Sequence, residues 1–175
     1  MENIKTNRLL LRKVNYSDID DIHEYASNEE VVKYMLFGPN TFEESKEYVN
    51  LVIEVFYKEI PLRHYEYAIE FENHLIGCVS ICLNEKLDKG ELGWILNPLY
   101  HRQGIMKEAA TALINFVNTK VGVNSFISRC DSRNVSSYKL MESLGMKLDH
   151  INKDTIVDKK SGLHKFDEFV YQLHL

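Results

Sequence analysis

The sequence predicts an α+β domain built on a largely antiparallel sheet, and three observations carry that expectation. Short β-type runs follow one another in mid-chain, separated by gaps of hairpin length. Helical stretches open at recognisable caps. No linker, repeat or shift of composition divides the 175 residues. A chain of this length can bury most of its apolar surface in one core. Residues 1–175 therefore read as a single domain in the order β-α-α-β-β-β-α-β-α-β-β.

Each element has its own signal. "RLLLRKV" (8–14) reads as a strand. Ser17 with Asp20 three residues later marks the start of an acidic helix ending near Ser27. Thr41 and Glu44 form a capping-box pair for a second helix that runs to about Tyr57. Between the two lies "KYMLFGPN", a turn carrying Tyr34, Phe37, Gly38 and Pro39; aromatics in such a loop either cover a core edge or line a ligand cleft. "YEYAIEF", "LIGCVSICL" and "GELGWIL" form an antiparallel meander, turning at Glu72-Asn73-His74 and across 84–89. A helix follows over 103–120, with Ala109, Leu113 and Phe116 at helical spacing on its core face. "SFISRC" is a strand, 135–143 a short helix stopped by Gly145, and two last strands over 146–156 and 165–173 flank a polar loop with Ser161-Gly162.

Composition excludes several classes. A net charge of −5 without a basic tail argues against nucleic-acid binding, which depends on phosphate neutralisation. The longest apolar runs are far short of a membrane span. The opening "MENIKTNRLLLRK" lacks the apolar core of a signal peptide, which places the protein in the cytoplasm. Cys78 and Cys82, four residues apart on one strand, lie roughly 13 Å from each other. That is too far for a disulfide or a shared metal. They read as reduced, small apolar residues. The seven histidines have no metal-ligand spacing, so no metal is expected.

The chemistry concentrates in "NPLYHRQGIMKEAATALINF" (97–116). Asn97-Pro98 ends a strand, and His101, Arg102 and Lys107 crowd Gly104 before a helix N-terminus, where the dipole disfavours positive charge. A helix start with unpaired N–H groups, a glycine that lets backbone approach closely and two cations make a pyrophosphate site. The bland alternative is a capped surface helix whose Lys107 is offset by Glu108. Gly93 within the preceding strand signals a bulge that would leave peptide groups free for an extended ligand. A second strand-to-helix junction, "SRCDSRNVSSYKL", brings Asn134, Ser137, Tyr138 and Lys139 to a helix start. Asn134 alone is an N-cap, but two neighbouring junctions can clamp one ligand.

These stretches, with "TNRLLLRKVNYSDIDDI" at the start and "HKFDEFVYQLHL" at the end, resemble in order and over nearly the whole chain the GNAT superfamily of acetyl-CoA-dependent N-acetyltransferases, in particular the ribosomal-protein N-terminal acetyltransferase branch. The resemblance implies a single GNAT-like domain with a mixed, mostly antiparallel central sheet flanked by helices. Its pyrophosphate motif, Gln/Arg-x-x-Gly-x-Gly/Ala, falls on 101–106; His101 and Met106 depart from it and Gly104 is kept. It further implies that Trp94, Ile95 and Leu96 pair through their main chain with the pantetheine arm. Arg102, Gln103, Gly104, Ile105, Met106 and Lys107 would hold the pyrophosphate. Asn134 would bind the pantetheine near its thiol end, beside Ser137 and Lys139 at the Ser-x-Arg/Lys positions.

Amide formation from a thioester needs a neutral amine, a polarised carbonyl and a protonated leaving thiolate. Glu91, on the strand face opposite Leu92, Trp94 and Leu96, is the candidate base, or else a solvated glutamate. By the same resemblance to the ribosomal branch Ser137 is the candidate acid, with Tyr138 behind it, or else Ser137 merely caps its helix turn. Cys130 has no evident His neighbour in the sequence and is not expected to carry the acyl group. Tyr34 and Phe37, in the loop 35–40 and its margin, are candidate substrate contacts. The expected function is acetyl transfer from acetyl-CoA to a primary amine such as a protein N-terminus, by a monomer or homodimer with no nucleic-acid or membrane partner. Two competitors remain: a GNAT-like acyl-CoA sensor without turnover, and a phosphate-binding α/β module, which would want parallel βαβ repeats and a fuller glycine motif.

Overall fold

The computed structural model describes residues 1–159 and 162–175, so Ser161 of the expected Ser161-Gly162 loop lies outside the described residues. Its elements are β1 (Ile4–Lys5), β2 (Leu10–Arg12), α1 (Ile19–Ala26), α2 (Glu29–Val32), α3 (Phe42–Glu54), β3 (His64–Phe71), β4 (His74–Leu83), β5 (Lys89–Leu96), α4 (Ile105–Val121), β6 (Ser125–Asp131), α5 (Val135–Ser143), β7 (Lys147–Val157) and β8 (Lys165–His174). The eight strands form one sheet in the order β1-β2-β3-β4-β5-β6-β8-β7. Every pair is antiparallel except β5–β6, which is parallel because α4 carries the chain back between them. No described helix is long and apolar enough to cross a membrane.

The expected elements are present, and the differences have local causes. The first helix is entered through a 3-10 turn capped by Asn15, not Ser17: the Asn15 side chain accepts from Ser17 N, and the Asp18 carboxylate accepts from Asn15 N at 2.8 Å. Asp18 is held there by Arg12, whose guanidinium also reaches Glu70. The short α2, capped by Asn28, was not foreseen; four residues are too few to show a period. Thr41 and Glu44 do form the capping box of α3, but that helix ends at Glu54 and a 3-10 turn continues to Lys58. The hairpin after β3 turns on Glu72 and Asn73, both at positive φ. Helix α4 starts at Ile105, two residues later than expected, because Arg102 (φ 60°) and Gly104 (φ 73°) are left-handed and cannot begin a helix. Gly145 at φ 84° stops α5.

Alternation along the strands divides the interior between the two sheet faces. Val79, Ile81, Leu92 and Phe126 pack under α4 through Ala109 and Leu113, with Phe116 edge-on to Tyr65 and Tyr67. The opposite face carries Ala68 and Cys78 against Ile22 and Tyr25 of α1 and Val49 and Val52 of α3. Phe126 is fully buried beneath α4, and its ring would lie 3.1 Å from a Cβ placed on Gly90 of the adjacent strand. Replacing it leaves a cavity at the junction of the parallel pair. Phe126→Ala should cost about 3–5 kcal/mol in urea unfolding; a loss below about 1 kcal/mol would show that the junction can collapse.

Candidate active site

The parallel ladder between β5 and β6 holds for three residue pairs, Lys89↔Ser125 to Glu91↔Ile127, and then the strands part. β5 stays bonded to β4 along its whole length. Asn97 N donates to Ile76 O, and Asn84 N to Lys89 O, so odd-numbered β5 residues bond β4 and even-numbered ones face the opening. The Leu92 carbonyl is met by the buried Ser128 hydroxyl at 2.9 Å, and the Leu96 carbonyl by His101 Nε2 at 3.0 Å. Both peptide groups of Trp94 and the N–H of Leu96 are thus aimed into the gap, whereas those of Ile95 bond β4. The expected bulge at Gly93 is absent: the β4–β5 register is continuous from Gly77↔Leu96 to Leu83↔Gly90. The strand edge is opened by divergence of two strands, not by an extra residue.

At the mouth of the gap α4 begins on Gly104 with no side-chain cap, while α3 and α5 are capped by Thr41 and Asn134. The first N–H to find an intrahelical carbonyl is that of Glu108, to Gly104 O, so the N–H groups of 105–107 are left to a ligand. Met106, at the family's small position, is buried in the core beneath α4. His101 ties the loop to β5 through Leu96 O. Glu108 does not offset Lys107. It accepts from Thr6 Oγ1 (2.6 Å), Arg8 N and Arg8 Nε. Partial burial works to raise its pKa, but these donors hold it below the ordinary carboxylate value. Arg8 also donates to Gln103 O, pinning the loop. Among the described residues, Arg102, Lys107 and Lys139 have no ion-pair partner within 4.0 Å. Exposed cations beside uncapped helix amides are the groups an anion site requires.

On the α1/α3 face a cavity of about 820 Å³ opens beside β5 and shares Gly93, Trp94 and Ile95 with the gap. Its apolar wall includes Tyr25, Phe37 and Leu51; its polar groups include Glu44, Glu47, Tyr48, Glu66 and Ser80. Glu66 is reachable from this cavity and otherwise enclosed by protein. Burial pushes its pKa up to about 7, against the opposing hydrogen bonds from Tyr48 and Ser80. The Tyr48 hydroxyl donates to Glu66 Oε1 at 2.9 Å, and Tyr57 Oη to the Glu66 carbonyl at 2.7 Å. The loop forming one wall is fastened by Lys159, whose ammonium donates to the carbonyls of Val32, Phe37 and Gly38.

Comparison with known proteins fits this geometry. Residues 8–147 match the acetyltransferase (GNAT) domain family. The chain belongs to the GNAT acetyltransferase family. It is 29% identical over 170 residues to the uncharacterized N-acetyltransferase YnaD of Bacillus subtilis (strain 168), covering 97% of this chain and 95% of that one. A GNAT-family acetyltransferase from Bacillus anthracis superposes with a TM-score of 0.85 at 28% identity, over 99% and 98% of the two chains. The ribosomal L7/L12 alpha-N-protein acetyltransferase RimL, solved in complex with coenzyme A, shares the fold with a TM-score of 0.87 at 18% identity, over 99% and 98%.

Within this GNAT frame the expected site residues divide. Trp94, Leu96 and residues 102–107 converge on the gap. Asn134 caps α5, its Oδ1 accepting from Ser137 N and Ser136 Oγ, so its amide nitrogen is the group left for a ligand. Ser137 is buried beside Cys130, whose thiol burial pushes up to about 11. Phe37 lines the cavity; Tyr34 does not, lying instead under the Arg133 guanidinium at 5.4 Å, in a smaller cavity with Lys33 and Lys159. Glu91 is outside the described lining of the large cavity and pairs with Arg129 at 3.4 Å. Two groupings were missed. Glu66 reads as one more polar residue of an alternating strand, and nothing local to it announces burial. Cys82 lies 3.1 Å from His64 Nε2, with Glu59 on the other ring nitrogen, a cluster assembled by strand pairing. Burial, with Glu59 and Glu91 nearby, raises the Cys82 thiol. Among the described residues no group of three or more His, Cys, Asp or Glu is placed to hold a metal.

Glu66 supplies a measurement independent of any substrate. A carboxyl whose folded pKa is raised from 4.5 to about 7 is compatible with the fold while protonated. The stability it allows is complete below its unfolded pKa and is lost as pH rises through the folded one. Glu66→Gln should therefore narrow the drop in Tm between about pH 5 and about pH 8; an unchanged pH dependence would show that Glu66 ionises normally.

Proposed function

We propose that the protein transfers the acetyl group of acetyl-CoA to a primary amine, in a ternary complex and without an acyl-enzyme. The observation that carries this reading is convergence: an unpaired strand edge, an uncapped helix start and a carboxylate-bearing cavity meet around Gly93 to Leu96. The residues fit the co-substrate. An extended pantetheine arm can pair with Trp94 and Leu96 as an added strand, with the Asn134 amide nitrogen beside its thiol end. The amides of 102–107, with Arg102 and Lys107, match a pyrophosphate, and Lys139 extends the positive field.

When bound, acetyl-CoA supplies an activated thioester; the chain supplies position, worth roughly 7–11 kcal/mol when both reactants are aligned. Ser137 is the proposed donor to the departing thiolate. Glu91, the base expected from the sequence, is proposed instead to anchor the end of the β5–β6 ladder through Arg129. Cys130 stays protonated at neutral pH and is a poor acyl carrier. The likeness to RimL supports a protein N-terminus as one acceptor class.

The first test is titration with CoA, followed by thiol release from acetyl-CoA over a panel of amines. Binding at micromolar levels with amine-dependent release is expected. Binding without release would favour a sensor, and no binding would overturn the reading. Gly104→Asp should abolish CoA binding by calorimetry while the fold is kept. The nearest atom to an added Cβ is 3.7 Å away, and the strain of a side chain at φ 73° is about 1–2 kcal/mol. Retained affinity in that variant would place the cradle elsewhere.

A further inference from the structure

We propose that Glu66 receives the ammonium group of the acceptor inside the cavity and takes its proton, and that the acceptor is an amine with no carboxylate next to its nitrogen. The inference rests on the acetyl-transfer reading and names the group that prepares its nucleophile.

The strand register lays out the path. Glu66 of β3 pairs with Ser80 of β4, and Ser80 pairs with Gly93 of β5, in one row across the face that lines the cavity. Adjacent strands are about 4.8 Å apart, so the row carries a polar track from Glu66 to the strand that borders the gap. A side chain at position 93 would stand in that track, its Cβ 3.1 Å from Ser80 Oγ. Glycine there leaves the cavity continuous with the open edge of β5. Tyr48 orients the carboxylate by donating to it, and Ser80 stands beside it in the row.

The charges around Glu66 point the same way. α1 contributes Tyr25, α3 contributes Glu44, Glu47 and Tyr48, the turn after α3 contributes Tyr57, and β4 contributes Cys78 and Ser80. Burial raises the pKa of Tyr25 and Tyr48 well above the ordinary tyrosine value and that of Cys78 above the ordinary thiol value, so these groups are neutral donors at physiological pH. Three carboxylic acids and no Lys, Arg or His are among the described lining residues. A cation is attracted to such a wall. A carboxylate beside the reacting nitrogen is repelled and finds no counter-charge.

The step balances as follows. The ammonium gives one proton to the Glu66 carboxylate, and the freed lone pair forms the C–N bond at the thioester carbonyl. The C–S bond breaks with its electron pair on sulfur, and the thiolate gains a proton as nitrogen loses its second. Glu66 returns its proton to solvent. A base that titrates near neutrality is suited to this exchange.

The experiment measures kcat/KM against pH for wild type, Glu66→Gln, Glu91→Gln and Tyr48→Phe, with phenethylamine and phenylalanine as a matched pair of acceptors and CoA affinity as the control for folding. Wild type should show an acidic limb near pH 7. Glu66→Gln should lose that limb and about 10²–10⁴-fold in rate at unchanged CoA affinity, while Glu91→Gln keeps it. Tyr48→Phe removes a donor that stabilises the ionised form, so its limb should move to higher pH, a shift that a purely structural role would not produce. Phenethylamine should exceed phenylalanine by at least about tenfold. A limb retained in Glu66→Gln, or phenylalanine preferred, overturns the inference while acetyl transfer stands. CoA binding with no thiol released for any amine overturns both.

Discussion

Two parallel strands that pair for three residues and then separate are the constraint around which this molecule is arranged. A parallel pair needs a crossover, and α4 supplies it, so the helix N-terminus lies at the end of β5 where the strands diverge. Divergence strands backbone groups that water or a ligand must satisfy. Ser128 and His101 cover two carbonyls of β5, which leaves Trp94 and the Leu96 N–H as the edge on offer. The absence of a cap on α4 belongs to the same arrangement, since a side chain accepting from those amides would occupy the place of an anion.

The two faces of the sheet then take different tasks. The α4 face is packed with aliphatic and aromatic side chains, which fix the start of α4 against the end of β5. The α1/α3 face gives up part of its packing to a cavity, and it keeps a carboxyl there at a cost that appears as a raised pKa. A largely enclosed acid with no cationic partner among the described residues is a stability liability in an ordinary core. It is understandable where a cation arrives with the substrate. The start of α4 shows the reverse pattern: among the described residues Arg102 and Lys107 have no ion-pair partner, and Glu108 is held by Arg8 and Thr6.

Much of the fold was legible in the residues. Strand-like runs separated by hairpin-length gaps gave β3, β4 and β5, and capping chemistry gave the start of α3; Gly145 marked the end of α5. Errors arose where several local signals competed for one role. Asn15 and Ser17 are both good caps, and the choice fell to Asn15 because Arg12 holds Asp18 in place to close the box. Gly93 suggests a bulge in the sequence, yet it is a regular strand residue whose missing side chain matters to the cavity above Ser80. Tyr34 and Phe37 are three residues apart in one loop and face different cavities.

The sequence by itself determined where the chain turns, to within about two residues where the longer helices begin, and which segments carry the charge an anion would need, because these depend on dihedral preference, caps and charge within a few residues. It therefore sufficed to locate Gly104, Arg102, Lys107 and Asn134 at helix starts. Only the tertiary structure decided which peptide groups of β5 go unpaired, that Glu66 is desolvated, and that His64 lies against Cys82. Those properties are set by register and burial between strands distant in the chain. A carboxyl's proton affinity in particular is fixed by what surrounds it, and the surroundings of Glu66 come from α1, α3 and β4 rather than from its own neighbours.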